Sequence, residues 1–384
     1  MLDLTIWMNY PAFFQGDLFR TLIASGEVDL KVIFAKRLTS DRIDLGWQND
    51  LAGYPYHFLD ERNKIADAVS LAWAGRDRLH IMNGLWAESP FAAGLVTLAA
   101  ARSVYAIYSE ASEPELPRST AKKLLRAAFG KALTPKAAGI LTVSHLAEDF
   151  YKGLGARPRA IYPFGYFRSH ARIAADPPPA SRGDKIEVIF VGQIIHRKGI
   201  DLLIEAINPL FDPHAELLLT IIGSGEMKPA LVERVESLGL SERIKFEDAI
   251  APGAIPERVA QADLLVLPSR WDGWGVVVNE AFAVGVPVIA SDRCGAADLI
   301  ENGVNGYVFR SEDVTDLRAC LDGFIKNRPS WPRLKAAAAI TGQRISTEQT
   351  APYLINCLKH MVGALSERPT PPWEELNLVE DVAG

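Results

Sequence analysis

Short apolar runs alternate with amphipathic stretches along nearly all of this 384-residue chain, and the alternation breaks once, at Ala174–Gly183 (AADPPPASRG). Three consecutive prolines join neither a helix nor a central strand, so the segment reads as a linker. Before it, strands are expected at Leu2–Met8, Val28–Phe34, Leu79–Met82, Val104–Tyr108, Ala137–Val143 and Arg159–Tyr162. Helices are expected at Asp17–Ala24, Ile65–Ala74, Pro90–Ala101 and His145–Lys152, and residues 36–56 read as a polar surface loop. After the linker the pattern restarts, with strands at Glu187–Val191, Glu216–Ile222, Ile244–Phe246 and Leu264–Leu267. Helices lie between them at Ile200–Ile207, Lys228–Ser237 and Ile255–Gln261. Strands alternating with helices specify parallel βαβ units in a doubly wound sheet. The chain therefore reads as α/β, with two Rossmann-like parallel-sheet domains facing a central cleft, the default ligand site.

The most informative stretch of the second half runs from Leu267 to Phe309 (LPSRWDGWGVVVNEAFAVGVPVIASDRCGAADLIENGVNGYVF). An apolar run ends at Pro268, a turn rich in Gly and Trp follows, and a helix is expected over Gly275–Val284 before a strand at Pro287–Ala290. Such a turn leaves backbone N–H groups bare at a helix start, where the dipole favours an anion. Asp272 lies on the turn and Glu280 two helical turns on. Carboxylates that close to an anion seat suit hydrogen bonds to sugar hydroxyls.

These residues resemble the donor-binding signature of the group 1 glycosyltransferases, a retaining branch of the GT-B superfamily. Pro268, Ser269, Gly273, Gly275, Glu280, Ala281, Ala283, Gly285, Pro287 and Val288 fit the pattern. Asp272 stands where the family has its first Glu, and Trp274 where it has Phe. The resemblance implies that Asp272 and the backbone of Gly273, Trp274, Gly275 and Val276 meet the sugar and phosphate, while Glu280 binds the ribose hydroxyls. The glycine turn at Gly192, following a strand and opening a helix, resembles G-R-L-x-x-x-K-G. Lys198 matches the family's lysine, and uncharged Gln193 stands in place of its arginine. Adjacent Arg197 is the candidate to supply the missing charge, because breaking a sugar–diphosphate bond builds negative charge on the leaving oxygen. Lys198, Arg197 and Asp272 are thus the catalytic candidates.

Gly223, in Ile221–Glu226, resembles the family's turn after the domain's second strand. Ile250 falls in the segment that meets the nucleobase, with Asp248 in place of the family's Gly. In the first half, Gln15-Gly16 is all that answers to the family's Gly-Gly loop, so Gly16 is the candidate there. Glu110 follows the Val104–Tyr108 strand, where relatives often carry His; it is a candidate acceptor or sugar ligand, or else a cap for the next segment. By this resemblance, residues 1–175 are the acceptor-side domain, joined by a crossover helix at about 350–366 (helical pattern Pro352–Leu365). Residues 184–345 are the donor-binding domain, and 367–384 a flexible tail.

Composition narrows the classes further. A net charge of −6 argues against a nucleic-acid partner. Three scattered cysteines make no disulfide framework and suit a reducing, cytoplasmic setting. The N-terminus lacks a basic n-region, and the longest apolar stretch, Phe91–Ala101, is about half of the roughly 20 residues that span a bilayer. There is no Asp-x-Asp, no paired-histidine spacing and no P-loop, so no metal site is expected. Residues Arg118–Lys136 carry six basic residues and no acid, interleaved with Leu124, Leu125, Phe129 and Leu133. That pattern is either a surface for anionic lipid at the inner face of the membrane or a solvated helix face. Trp47, Trp73 and Trp86 are either sugar-facing aromatics or core.

The expected activity is a retaining, metal-independent and cofactor-free sugar transfer. The donor is a nucleotide-diphospho-sugar and the acceptor a hydroxyl of a glycan or lipid-linked glycan, as in polysaccharide biosynthesis. A sugar-nucleotide epimerase or hydrolase of the same fold, or a non-catalytic sugar-nucleotide-binding partner, would share the residue pattern.

Overall fold

The structure, a computed structural model, describes residues 1–39, 43, 48–85, 88–111, 120–170 and 185–374. The linker Ala174–Gly183, Trp47 and Trp86 lie outside the described residues. The chain divides into two compact units. Unit 1 comprises Met1–Arg168 with Thr347–Glu374, and unit 2 comprises Ser169–Ser346.

Unit 1 is built on strands β1 (Leu2–Met8), β2 (Val28–Phe34), β3 (Tyr56–Phe58), β4 (Leu79–Asn83), β5 (Tyr105–Ser109), β6 (Gly139–Thr142) and β7 (Ile161–Pro163). They form one sheet in the order β3-β2-β1-β4-β5-β6-β7, and every pairing is parallel. Helices α1 (Gly16–Ala24), α2 (Lys64–Ala74), α3 (Ser89–Ala100), α4 (Thr120–Leu133) and α5 (His145–Gly153) connect them. Both faces are covered, so strands such as β5 are buried at successive positions, Tyr105 through Tyr108, rather than alternating. The core gathers Trp7, Met82, Phe91, Leu95 and Ile107. Within it, Trp7 donates its indole N–H to Nδ1 of His80 at 3.0 Å.

Unit 2 repeats the plan with β8 (Ile186–Val191), β9 (Leu217–Ile222), β10 (Ile244–Glu247), β11 (Leu264–Leu267), β12 (Val288–Ser291) and β13 (Gly306–Phe309). The order is β10-β9-β8-β11-β12-β13, again with every pairing parallel. Its helices are α6 (Ile200–Ile207), α7 (Lys228–Ser237), α8 (Ile255–Ala260), α9 (Val276–Ala283), α10 (Val314–Lys326) and α11 (Trp331–Arg344). In each unit the strand order reverses beside the first strand, the geometry that opens a crevice at the carboxyl ends of the strands.

The sequence reading set no bounds for α4, β13, α10 or α11, and it differs from the structure at three further places. Strand β3 falls at the end of what read as loop; three residues on a sheet edge are too few for a period to register. The last helix, α12 (Thr347–Met361), starts five residues before Pro352 and carries that proline inside it. Burial decides this: Thr347, Thr350 and Ala351 pack inside unit 1, and the Thr347 N–H donates to the Arg168 carbonyl at 2.9 Å. The expected flexible tail is also shorter at its start. Trp373 is buried, its ring centroid 4.9 Å from Phe167 and 5.5 Å from Tyr353, and Arg368 donates to the Ile161 carbonyl. Residues 375–384 lie outside the described residues.

Candidate functional site

In unit 2 the loops that follow β8 and β11 leave neighbouring strands at the point of order reversal. Their backbones touch. Gly199 has φ +67°, and a Cβ there would sit 2.1 Å from the Pro268 carbonyl oxygen, so only glycine passes. The Arg270 N–H donates to the Arg197 carbonyl at 2.8 Å, and Nη1 of Arg197 returns a bond to the Trp271 carbonyl at 2.8 Å. Arg270 closes the clamp, donating to the His196 carbonyl at 2.8 Å and holding the Asp201 carboxylate bidentately at 2.9 and 2.7 Å. Burial works against ionising Asp201, but the Arg270 guanidinium outweighs it and holds the acid below its usual range.

This clamp brings together two of the three catalytic candidates. The Lys198 ammonium is ion-paired with Oδ2 of Asp272, each side chain less than one-seventh exposed. The Asp272 backbone is fixed on both sides, its N–H donating to the Arg293 carbonyl at 2.9 Å and its carbonyl accepting from Gly295 N–H at 3.0 Å. Arg197, the third candidate, is half-buried beside them, tied to Trp271.

Past Asp272 the turn folds inward. Trp274 is buried, its indole N–H donating to Oδ1 of Asn279 at 2.8 Å. Its carbonyl accepts from Ala296 N–H at 2.8 Å and from the Cys294 thiol at 2.9 Å. Burial, then the Asp272 carboxylate, pushes the Cys294 thiol well up, so it stays a neutral donor. Gly273 and Gly275 are buried, Gly275 is the residue before α9, Val276 opens that helix half-exposed, and Glu280 is buried in its second turn.

The loops after β8 and β9 nest on each other. A Cβ on Gly223 would lie 1.9 Å from the Gly192 carbonyl oxygen, and the Ile194 N–H donates to the Ser224 carbonyl at 2.8 Å. Gln193 projects exposed from this turn. At the end of β10, the Asp248 carboxylate meets Lys228 Nζ at 2.8 Å, which holds the acid below its ordinary range, and Ile250 follows half-exposed.

Unit 1 carries its own crevice, of about 350 Å³, at the corresponding edge of its sheet. Asn9, Tyr10 and Gln15 enter it from the loop after β1, Asn83 and Gly84 from the end of β4, and Glu110 from the loop after β5. Arg126 of α4 and the rings of Phe14 and Tyr166, 5.0 Å apart, complete it. Burial, reinforced by the Glu110 carboxylate, pushes the Tyr166 phenol well above its ordinary range, leaving it a hydroxyl donor. Gly16 starts α1 and is buried; a Cβ there would lie 2.6 Å from Oδ2 of Asp50. Trp73 lies exposed on α2, outside the crevice.

Sequence reasoning missed Arg270, Asp201, Cys294, Arg126 and Tyr166. Arg270 had one available signal, its place between Ser269 and the turn. The others converge only through the fold. Among the described residues no cluster of three or more His, Cys, Asp or Glu is arranged to hold a metal ion, and no helix is long and apolar enough to cross a membrane.

Residues 172–341 match the family model described as Glycosyl transferases group 1. Among curated relatives, the chain is 30% identical over 186 residues to the GDP-mannose-dependent alpha-(1-6)-phosphatidylinositol monomannoside mannosyltransferase of Mycolicibacterium smegmatis. That match covers 45% of this chain and 48% of the relative. It is 34% identical over 179 residues to the D-inositol 3-phosphate glycosyltransferase of Nocardia farcinica, covering 44% and 39%. The chain thus spans about half or less of the length of the curated relatives it matches. Its fold is similar to the crystal structure of Anabaena HepE in complex with UDP. The TM-score is 0.73 at 16% identity, over 95% of this chain and 100% of that one.

Proposed function

Residues 172–341 belong to the group 1 glycosyl transferases and the chain has a GT-B fold, and from that premise we propose that it transfers a sugar from a nucleotide-diphospho-sugar to a hydroxyl acceptor. The observation that carries this reading is the Lys198–Asp272 pair at the order reversal of unit 2, beside the start of α9. A diphosphate there would meet the Lys198 ammonium, the remaining donors of Arg197 and the bare N–H groups of the first turn of α9. These are the groups that stabilise charge on a departing phosphate. Cations and amide dipoles supply that stabilisation, so we assign the reaction no metal and no cofactor.

The Asp272 carboxylate, freed from Lys198 as the diphosphate takes over the ammonium, would accept a hydrogen bond from a donor-sugar hydroxyl. Glu280 is assigned to the ribose. The C1–O bond to the β-phosphate breaks, and the acceptor oxygen bonds C1 on the same face. The acceptor proton passes to the departing phosphate oxygen, so the configuration is retained and no protein nucleophile is needed. The unit 1 crevice, with Glu110, Asn9, Asn83 and the Tyr166 phenol over aromatic rings, has the lining of a polyol pocket, and we assign it to the acceptor. The relatives' names, a GDP-mannose-dependent mannosyltransferase and a glycosyltransferase of an inositol phosphate, put glycan or lipid-linked polyols among the acceptor classes to screen.

The test is a thermal-shift screen against UDP, GDP and ADP sugars, followed by mass analysis of products with and without acceptor pools. Stabilisation by one donor and an acceptor product one sugar heavier are expected. Donor consumption with no acceptor present would point to an epimerase or hydrolase. Binding with no product from any acceptor pool would point to a non-catalytic sugar-nucleotide partner.

A further inference from the structure

The outward face of α4 is an unusual surface of unit 1. Phe129 and Leu133 turn inward onto the core. The opposite stripe carries Leu124 and Leu125, 67% and 72% exposed, then Ala128, Lys131 and Ala132, all exposed. A helix facing water on one side places polar residues there, not two adjacent leucines. Along the sequence the charge is one-sided: residues 118–136 hold six basic residues and no acid, in a chain whose net charge is −6.

The chain leaves α4 directly into Thr134 and Pro135, which line a cavity of about 250 Å³. Arg157, Arg159 and His360 line it too, and Lys136 stands exposed beside it. Both arginines are exposed, while His360 accepts or donates at 2.6 Å with the Tyr162 hydroxyl.

We propose that the outer face of α4, with Lys131, Lys136, Arg157 and Arg159, docks unit 1 onto an anionic bilayer. Leu124 and Leu125 enter the headgroup–acyl boundary and the cations meet lipid phosphates. Exposed apolar side chains inside a cationic field fit this partner better than a soluble protein. Hydrocarbon burial and phosphate attraction act together only at a charged interface, where each basic residue near the surface adds to the binding. Without the cationic cluster, the negative charge of the whole chain would oppose approach to an anionic surface.

The test is co-sedimentation of the full chain with vesicles of phosphatidylcholine alone and of phosphatidylcholine with 30% phosphatidylglycerol. The expected result is at least tenfold stronger partition to the anionic vesicles, weakening with added salt. Leu124→Ser/Leu125→Ser, on exposed positions whose loss leaves the core untouched, and Lys131→Glu/Lys136→Glu should each lower that partition at least tenfold. Light scattering is run on the same variants. Equal binding to both vesicle types, or serine variants that partition like the parent, would overturn the proposal. So would a parent dimer that the serine variants convert to monomer, since a second copy would then cover this face. None of these readouts depends on sugar transfer.

Discussion

The Lys198 ammonium is ion-paired with the Asp272 carboxylate across 74 residues of sequence, with both side chains largely buried. Removing one partner leaves the other charge without compensation in a poorly hydrated place, at a cost of about 3 kcal/mol. Lys198→Ala is therefore expected to lower stability by about that amount and turnover at least tenfold. The double variant Lys198→Ala/Asp272→Asn should recover most of the stability and none of the turnover. Urea denaturation beside steady-state kinetics separates the two effects. Recovery of activity in the double variant would remove the lysine from catalysis.

The contact of Gly199 with the Pro268 carbonyl sets the spacing of the two loops that hold this pair. Gly199→Ala adds a methyl where none fits, at a positive φ that disfavours side chains. A loss of about 1–3 kcal/mol is expected. Separating the loops by about 1 Å should also cost turnover on the order of a hundredfold. A kcat near the parent's in a folded variant would show that the loop spacing is not critical.

Glu110 stands in the unit 1 crevice with the protonated Tyr166 phenol. Glu110→Gln keeps the shape and removes the charge, so the acceptor KM should rise about tenfold while donor affinity by calorimetry stays unchanged. A matching loss of donor affinity would assign Glu110 to the donor instead.

His80 makes unit 1 sensitive to acid. Trp7 can only donate, so Nδ1 of His80 accepts and its Nε2–H donates to the Gly75 carbonyl at 2.9 Å. Burial, partly offset by that bond, lowers the imidazole pKa from 6.5 to about 4. The unfolded chain takes up the proton first as pH falls. The stabilisation is therefore complete above about pH 6.5 and disappears toward pH 4, a loss of about 3 kcal/mol at most. Melting temperature against pH should fall through that window and flatten in His80→Gln, whose amide can serve both partners. Parallel curves for the two proteins would refute the assignment.

The sequence by itself determined the two-fold repetition of strand and helix, because period and turn chemistry are local and strong in β8, β9 and β11. It also determined the positions of the glycine turns and the residues that match the group 1 pattern. It gave no sign of β3, which is three residues long, and it placed the start of α12 at its proline, where burial of Thr347 and Thr350 overrides local preference. Only the tertiary structure decided that Lys198 and Asp272 are partners, and that Arg270, through Asp201 and the His196 carbonyl, holds their loops together. The physical reason is separation along the chain. A turn or a helix is specified by neighbours a few residues away, whereas an ion pair spanning 74 residues exists only once β8 and β11 lie side by side in one sheet.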